Sequence, residues 1–469
     1  MATISFSGLA SGIDGDAVIK ALTDARRVAS LPLENKLDAG KAESAAYDEF
    51  KAKLLTLSDG IQKFRTLSGS AIGKKAASSN ENALKVSAGS NALSASTTVD
   101  VLALAKAGSM SFDDVFSATD TKIASGLSTP SSISVTVGVG ATAKSYQFAV
   151  DSTTTLASLA AKINDTASAD MRAAVINVGS ESAPQYKLVL NAVNTGVEKG
   201  TLAVSVPPEI SALGIFGSQT TEAASDARVS VQGIGEVRRA TNQISDLIPG
   251  VTLDLRQAGM GPAVISVSND TEATAKSLTD VVAMLNEIIG YSNDNDKIDR
   301  VETEKGVSNV FGSLARSSVD DQAIDALKRA LANANSGTDG SSIRILADLG
   351  ITTQRDGKLA FDTAKFEEAM GKDPSAADRL LNNFADALGG VDGAIANYTR
   401  FKGLIDIAKQ SNDREAETIN DKLTRLERSI ERQTQSLKMV FSRLESEVAR
   451  LNSSSNALAG LISSAGQSK

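Results

Sequence analysis

Apolar residues recur along the last part of the chain at a spacing that belongs to a long helix. Ile419, Leu423, Leu426, Ile430, Leu437, Val440, Leu444, Val448 and Leu451 follow one another at steps of four, three, four, seven, three, four, four and three residues. A mean step near 3.5 keeps such positions on one stripe of a helix packed lengthwise against a partner. Residues 404–459 contain no Gly and no Pro, against 36 and 8 in the whole chain, so nothing in them breaks a helix. Gln433 interrupts the stripe, and a four-residue step replaces a three near Leu444. Arg425, Glu427, Arg428, Glu431, Arg432, Arg443, Glu445 and Glu447 mix both signs on the other faces, as a solvated surface does.

A second stripe lies near the other end: Tyr47, Phe50, Leu54, Leu57, Ile61 and Phe64 step by three, four, three, four and three, and Leu67 extends it. Before it, the small-residue turn Gly8–Asp14 precedes a short helix from Asp16, and Pro32 predicts a break. A helix with one narrow apolar seam needs a cover. Two such seams at opposite ends therefore predict a lengthwise pairing of the N- and C-terminal segments.

Between the seams the texture changes. Short alternating runs rich in Val and Thr, bounded by Gly, Ser and Asn, occupy residues 84–87, 98–104, 133–137, 146–150, 173–178, 187–190, 202–206, 229–232, 251–255 and 264–267, the pattern of small antiparallel β domains. One helix interrupts them, with Leu156, Leu159, Ala160 and Ile163 on one face behind cap-prone threonines at 153–155. Helical periodicity resumes after Asp270 with Leu278, Val281, Val282, Leu285, Ile288 and Ile289, and again over 320–334. Asp356-Gly357 predicts a small hairpin over 353–361. Asp362 then caps a helix through Met370, Asp373-Pro374 caps the next, and Gly389-Gly390 ends it. The fold class is α+β and multidomain, with two β-rich domains inserted into a helical body built from both chain ends.

Composition narrows the chemistry. A chain of 469 residues suggests about two to four domains. It has no Cys, His or Trp, which removes thiolate nucleophiles, imidazole bases and the usual zinc and haem sites. The net charge of −8 with no basic stripe argues against nucleic acid. The acidic excess is local: residues 109–275 hold 10 Lys or Arg against 16 Asp or Glu. No apolar run reaches the roughly 18 residues of a membrane span, and the N-terminus does not read as a Sec signal peptide.

The densest acidic cluster is Asp294, Asp296, Asp299, Glu302 and Glu304. A calcium loop starting at Asp294 would need a ligand at Ile298 and a Gly at Asp299, so the motif fails and a solvated loop between helices is expected. Gly233-Ile234-Gly235 lacks the third glycine of a phosphate cradle and reads as a turn or bulge. No catalytic, cofactor-binding or metal residues are assigned, and no cofactor or enzymatic activity is expected.

Several stretches together resemble one family, the bacterial flagellar filament capping protein or hook-associated protein 2 family. They are the opening Ile4-Ser-Phe-Ser-Gly-Leu-Ala-Ser-Gly-Ile-Asp14 and the 132–196 stretch with Leu156-Ala-Ser-Leu-Ala-Ala-Lys-Ile-Asn164 and Tyr186-Lys-Leu-Val-Leu190, similar to the repeat inserted in flagellar axial proteins. Thr241 to Leu255, Asp356 to Asp362 with Asp373-Pro374, and Phe441 to Leu458 complete the likeness. Val440 stands where the family usually has Gln.

The resemblance implies a division into terminal segments 1–40 and 436–469, disordered in the free monomer; a helical body of 41–77 with 273–435; an inner β domain of 78–108 with 224–272; and an outer β domain of 109–223. It implies a secreted protein at the distal tip of the filament, exported through the flagellar type III channel. There a homo-oligomeric ring, a pentamer, would retain exported flagellin and promote its folding and insertion. Flagellin, the filament tip, hook–filament junction proteins and an export chaperone are the implied partners, without nucleic acid or membrane insertion. Tyr47, Phe50, Leu54, Leu57, Ile61, Phe64, Ile419, Leu423, Leu426, Ile430 and Leu437 are the expected helix-pairing seam. Leu444, Val448, Leu451 and Leu458 are the expected filament contacts. The rival reading is a surface adhesin that uses the acidic β domains.

Overall fold

The computed structural model describes residues 14–65, 69–303, 306–337 and 340–466. The opening motif before Asp14, as well as Leu67 and Glu304, lies outside the described residues. The chain divides into two compact units, residues 1–65 with 275–469 and residues 66–274.

In the first unit the chain enters on the helix Gly15–Arg27, where Asp14 accepts a hydrogen bond from the Ala17 amide at 3.0 Å. A single 3-10 turn, Val28–Ser30, leads into the helix Leu31–Gln62. Pro32 sits in the first turn of that second helix, where its missing N–H leaves no intrahelical bond unmade. The break expected at Pro32 is therefore only this turn. The helix Thr271–Asn295 begins where the Asp270 carboxylate accepts from the Ala273 amide. It packs on Leu31–Gln62: the Phe50 and Tyr291 rings stack at 6.4 Å, the Tyr291 hydroxyl donates to the Ala46 carbonyl, and Gly60 leaves room for Met284.

The helices Val319–Asn333, Thr363–Lys372 and Pro374–Gly389 complete the body. Asp362 and Asp373 cap the last two through the Ala364 and Ala376 amides, as Asp followed by a helical run predicts. A hairpin of Ile351–Thr353 with Leu359–Phe361 is held by Asn286, whose amide both donates to and accepts from the Leu359 backbone. The acidic stretch after Asp294 is not the loop expected from its composition. Ile298–Thr303 pairs with Gly306–Phe311 as a second antiparallel hairpin; Ile298, Arg300 and Glu302 on one face and Asp299 and Val301 on the other are all exposed.

The second unit is built on antiparallel sheets around two cores. One core lies between a five-stranded sheet, in the order Lys74–Ser78, Ala263–Asn269, Ser96–Ala103, Ala227–Val231 and Gly235–Arg239, and a three-stranded sheet of Gln243–Ile248, Val251–Leu255 and Leu84–Ala88. Gly233 and Gly235, at φ of 82° and 96°, turn the chain between two of these strands, a conformation that excludes most other residues. The other core gathers the helix Leu156–Ala167 with the four strands Gln219–Glu222, Ser109–Phe112, Tyr186–Ala192 and Met171–Asn177 and the three strands Lys144–Val150, Ser131–Val137 and Leu202–Ser205. The expected order of two strands, helix and two strands is present. Each strand pair belongs to a different sheet, and Asn164 ties the helix to Ala173 through both backbone groups at 2.9 and 2.8 Å.

Candidate assembly surface on the terminal helices

The last helix, Leu404–Gly466, runs for 63 residues, about 95 Å at 1.5 Å per residue. Its partners identify themselves by paired contacts whose numbers rise on one strand of the pair as they fall on the other. Lys51 meets Asp406 at 2.5 Å, Lys409 meets Asp48, Asn412 meets Ser44 at 3.3 Å, Lys36 meets Glu415, Arg27 meets Glu427 at 2.7 Å and Thr23 meets Thr434 at 3.1 Å. The terminal helices are therefore antiparallel over this whole length. Lys51 donates to Asp406 and holds its carboxyl below the ordinary value, while the hydrogen bond from Arg27 to Glu427 raises the guanidinium further.

This register decides where each seam residue lies. Tyr47, Phe50, Leu54, Leu57, Ile61 and Phe64 are all buried, at 2% exposure or less. They do not face Ile419, Leu423, Leu426, Ile430 or Leu437. With Lys51 level with Asp406, everything beyond about residue 52 lies past the start of the last helix. Phe50 instead packs on Thr271–Asn295 and Ile61 on Pro374–Gly389, as the Phe50–Tyr291 stack and the approach of Ile61 to Gly389 show. The C-terminal seam is covered by the first helix and the opening of the second. Ile419 and Ile430 are buried there, and Leu423, Leu426 and Leu437 are half-buried.

The covering stripe is Ile19, Thr23, Arg26, Ser30, Leu33, Leu37, Gly40, Ser44 and Tyr47, every one buried or half-buried. Its steps of four, three, four, three, four, three, four and three make a heptad repeat more regular than either apolar seam. Hydropathy alone misses it because five of its members are polar or glycine. A spacing search that admits small residues finds it.

Beyond Ile430 the buried side of the last helix passes through Thr434, Leu437, Phe441, Glu445 and Val448. The expected course through Gln433, Val440 and Leu444 is exposed instead. A straight helix drifts by about 20° per heptad, and the four-residue steps at Thr434, Phe441 and Glu445 restore the facing. Of the expected filament contacts, Val448 is half-buried, and Leu444, Leu451 and Leu458 are 45%, 66% and 59% exposed. Met439, Val440, Leu461 and Ile462 are also exposed. The start of the first helix lies level with about residue 440, and beyond it the last helix leaves Leu444, Leu451, Leu458 and Ile462 exposed. Among the described residues, no helix is long and apolar enough to cross a membrane.

Known proteins resemble this chain over most of its length. The family description "Flagellar hook-associated protein 2 N-terminus" matches residues 11–108, and "Flagellar hook-associated protein 2 C-terminus" matches residues 224–453. The chain is similar to flagellar hook-associated protein 2 of Escherichia coli O157:H7, with 27% identity over 98% of both chains. Its identity to the protein of that name in Escherichia coli K12 is 26%, again over 98% of both. The crystal structure of the flagellar cap protein FliD D1-D2-D3 domains from Escherichia coli covers 78% of this chain and 99% of its own, with a TM-score of 0.61 and 22% identity; that likeness is one of fold.

Proposed function

The chain belongs to the flagellar hook-associated protein 2 family, and we propose that it caps the distal tip of the bacterial flagellar filament as a homo-oligomeric ring, a pentamer, that retains exported flagellin and promotes its folding and insertion. It is an extracellular, structural component of the flagellum and not an enzyme. Hook–filament junction proteins and an export chaperone are its further proposed partners.

The observation that carries this reading is the exposed apolar face at the outer end of the last helix. Burial of a Leu or Ile is worth roughly 1.5–3 kcal/mol when something covers it. Leu451, Leu458 and Ile462, at 59–70% exposure, gain little of this among the described residues. A contact with flagellin supplies that cover, and the cost of ordering the outer segments keeps the contact weak enough to be remade as each subunit inserts. The polar covering stripe serves the same end, since Thr23, Ser30 and Ser44 bury little apolar area.

Within residues 66–274, the two separate cores support an inner β domain of 78–108 with 224–272 and an outer one of 109–223, but the strand Lys74–Ser78, expected in the helical body, pairs with Ala263–Asn269 and belongs to the inner domain. In a strain lacking its own capping protein, the full chain should restore filaments, with labelled protein at their tips in electron micrographs. A variant lacking residues 109–223 should fail to do so; motile cells that have only lost surface binding would favour an adhesin and overturn the cap.

A further inference from the structure

Three carboxylates meet at one corner of the helical unit. Asp296 follows the end of Thr271–Asn295, and Asp320 and Asp321 lie in the first turn of Val319–Asn333. The hairpin between these helices closes back on their junction, through the Gly312 amide to the Lys297 carbonyl at 2.8 Å and the Leu314 amide to the Asn295 carbonyl at 3.0 Å. One oxygen from each of the three carboxylates lies within 4.8 Å of the others.

The acidic cluster alone would carry nothing, but its hydrogen bonding does not close. Asp320 is fully buried, and its Oδ1 has no hydrogen-bond partner; the buried Oδ1 of Asp296 has none either. Ser292 donates to Asp320 Oδ2 at 2.6 Å and stands 3.4 Å from Asp296 Oδ2. A hydroxyl has a single proton to give, so Ser292 holds the two side chains side by side while each keeps an oxygen bare. Buried acceptors are almost always satisfied, and a buried carboxylate needs a counter-charge. The basic residues beside it in sequence are engaged elsewhere: Lys297 pairs with Asp294 at 2.5 Å, and the Arg316 guanidinium lies over the Phe311 ring at 4.3 Å.

We propose that Asp296, Asp320 and Asp321, positioned by Ser292, bind a divalent oxygen-seeking cation, calcium in preference to magnesium. An all-oxygen set with no imidazole or thiolate selects hard cations. Three carboxylates of unequal burial, with Asp321 exposed to admit water, suit calcium's irregular coordination better than the strict octahedron of magnesium. The ion joins the end of one helix to the start of another across the Ile298–Phe311 hairpin. The sequence hides this site, because Asp320 lies 24 positions from Asp296, outside any loop motif.

The test is calcium titration of the full chain after chelator treatment, followed by calorimetry, terbium luminescence and thermal unfolding at neutral pH. The wild type should bind one calcium saturably and unfold at a higher temperature when loaded. Asp320→Asn and Asp296→Asn should abolish both responses, and Ser292→Ala should weaken binding by about 10- to 100-fold, as loss of a positioning partner does. Asp321→Asn, at an exposed position that the fold does not need, should weaken binding without changing the unfolding of the apo chain. Asp294→Asn should leave affinity unchanged. Absence of saturable binding to the wild type overturns the proposal. So does binding that survives Asp320→Asn and Asp321→Asn together, and so does a corner that answers to pH but not to calcium, which would make a shared proton its occupant.

Discussion

Lys51 and Asp406 form the innermost rung of the antiparallel ladder between the terminal helices: Nζ lies 2.5 Å from Oδ1, and the other carboxylate oxygen accepts the Lys402 amide at 3.1 Å. The second bond matters as much as the first. Lys402 has a positive φ of 58° in the turn that precedes the last helix, so Asp406 fixes the angle at which a helix of about 95 Å sets out. An error at this rung would grow along the whole ladder.

The pair should therefore show a measurable coupling although both side chains are partly exposed, at 24% and 31%. A double-mutant cycle of Lys51→Met with Asp406→Asn, read by urea unfolding, should give about 0.5–1 kcal/mol, and less at molar salt. Asp406→Asn alone should also loosen the amide of Lys402 in hydrogen exchange, whereas Lys51→Met should not.

The register ranks substitutions along the seam. Ile430 is 3% exposed and Leu426 half-buried, so Ile430→Asp should destabilise the terminal pairing by several kcal/mol and Leu426→Asp by less. Both should raise hydrogen exchange in Gly15–Arg27 and in the last helix. Neither should alter the strands of residues 66–274, whose cores contain none of these side chains.

The same residues show what a sequence can and cannot reveal here. Apolar periodicity marks Tyr47–Phe64 and Ile419–Leu437 as buried faces, because burial of Leu and Ile leaves a periodic trace. It cannot say which face meets which, since pairing depends on a register set by Lys51, Lys36 and Arg27 with their acids. Thr23, Arg26, Ser30 and Gly40 form a true packing stripe that hydropathy does not see. In the β unit, alternation finds Val251–Leu255 and Ala263–Asn269. Lys74–Ser78 and Gln219–Glu222 are paired strands with little apolar content, and only their neighbours make them strands.

Acid should act on the Asp151 turn that precedes the helix Leu156–Ala167. Hydrogen bonds from the Thr153 hydroxyl and amide and from the Thr154 hydroxyl hold the Asp151 carboxyl down to about 2. A carboxyl depressed in the folded state contributes its full stability above the ordinary value near 3.8 and loses it as pH falls through about 2. Urea midpoints between pH 4.5 and pH 2 should thus fall more steeply for the wild type than for Asp151→Asn. Equal slopes would mean that the turn does not hold its carboxylate in solution.

Leu451 separates assembly from folding. It is 66% exposed on the last helix, so Leu451→Asp should change the stability of the single chain by no more than about 0.5 kcal/mol. If that face is where flagellin docks, the same change buries an unpaired charge in the interface and should stop filament growth. Leu458→Asp should behave alike. Ile430→Asp, by contrast, should lose stability and growth together. Motility, filament length and urea unfolding measured on the three variants distinguish the cases. A Leu451→Asp chain that is fully stable and grows normal filaments would move the contact away from this face.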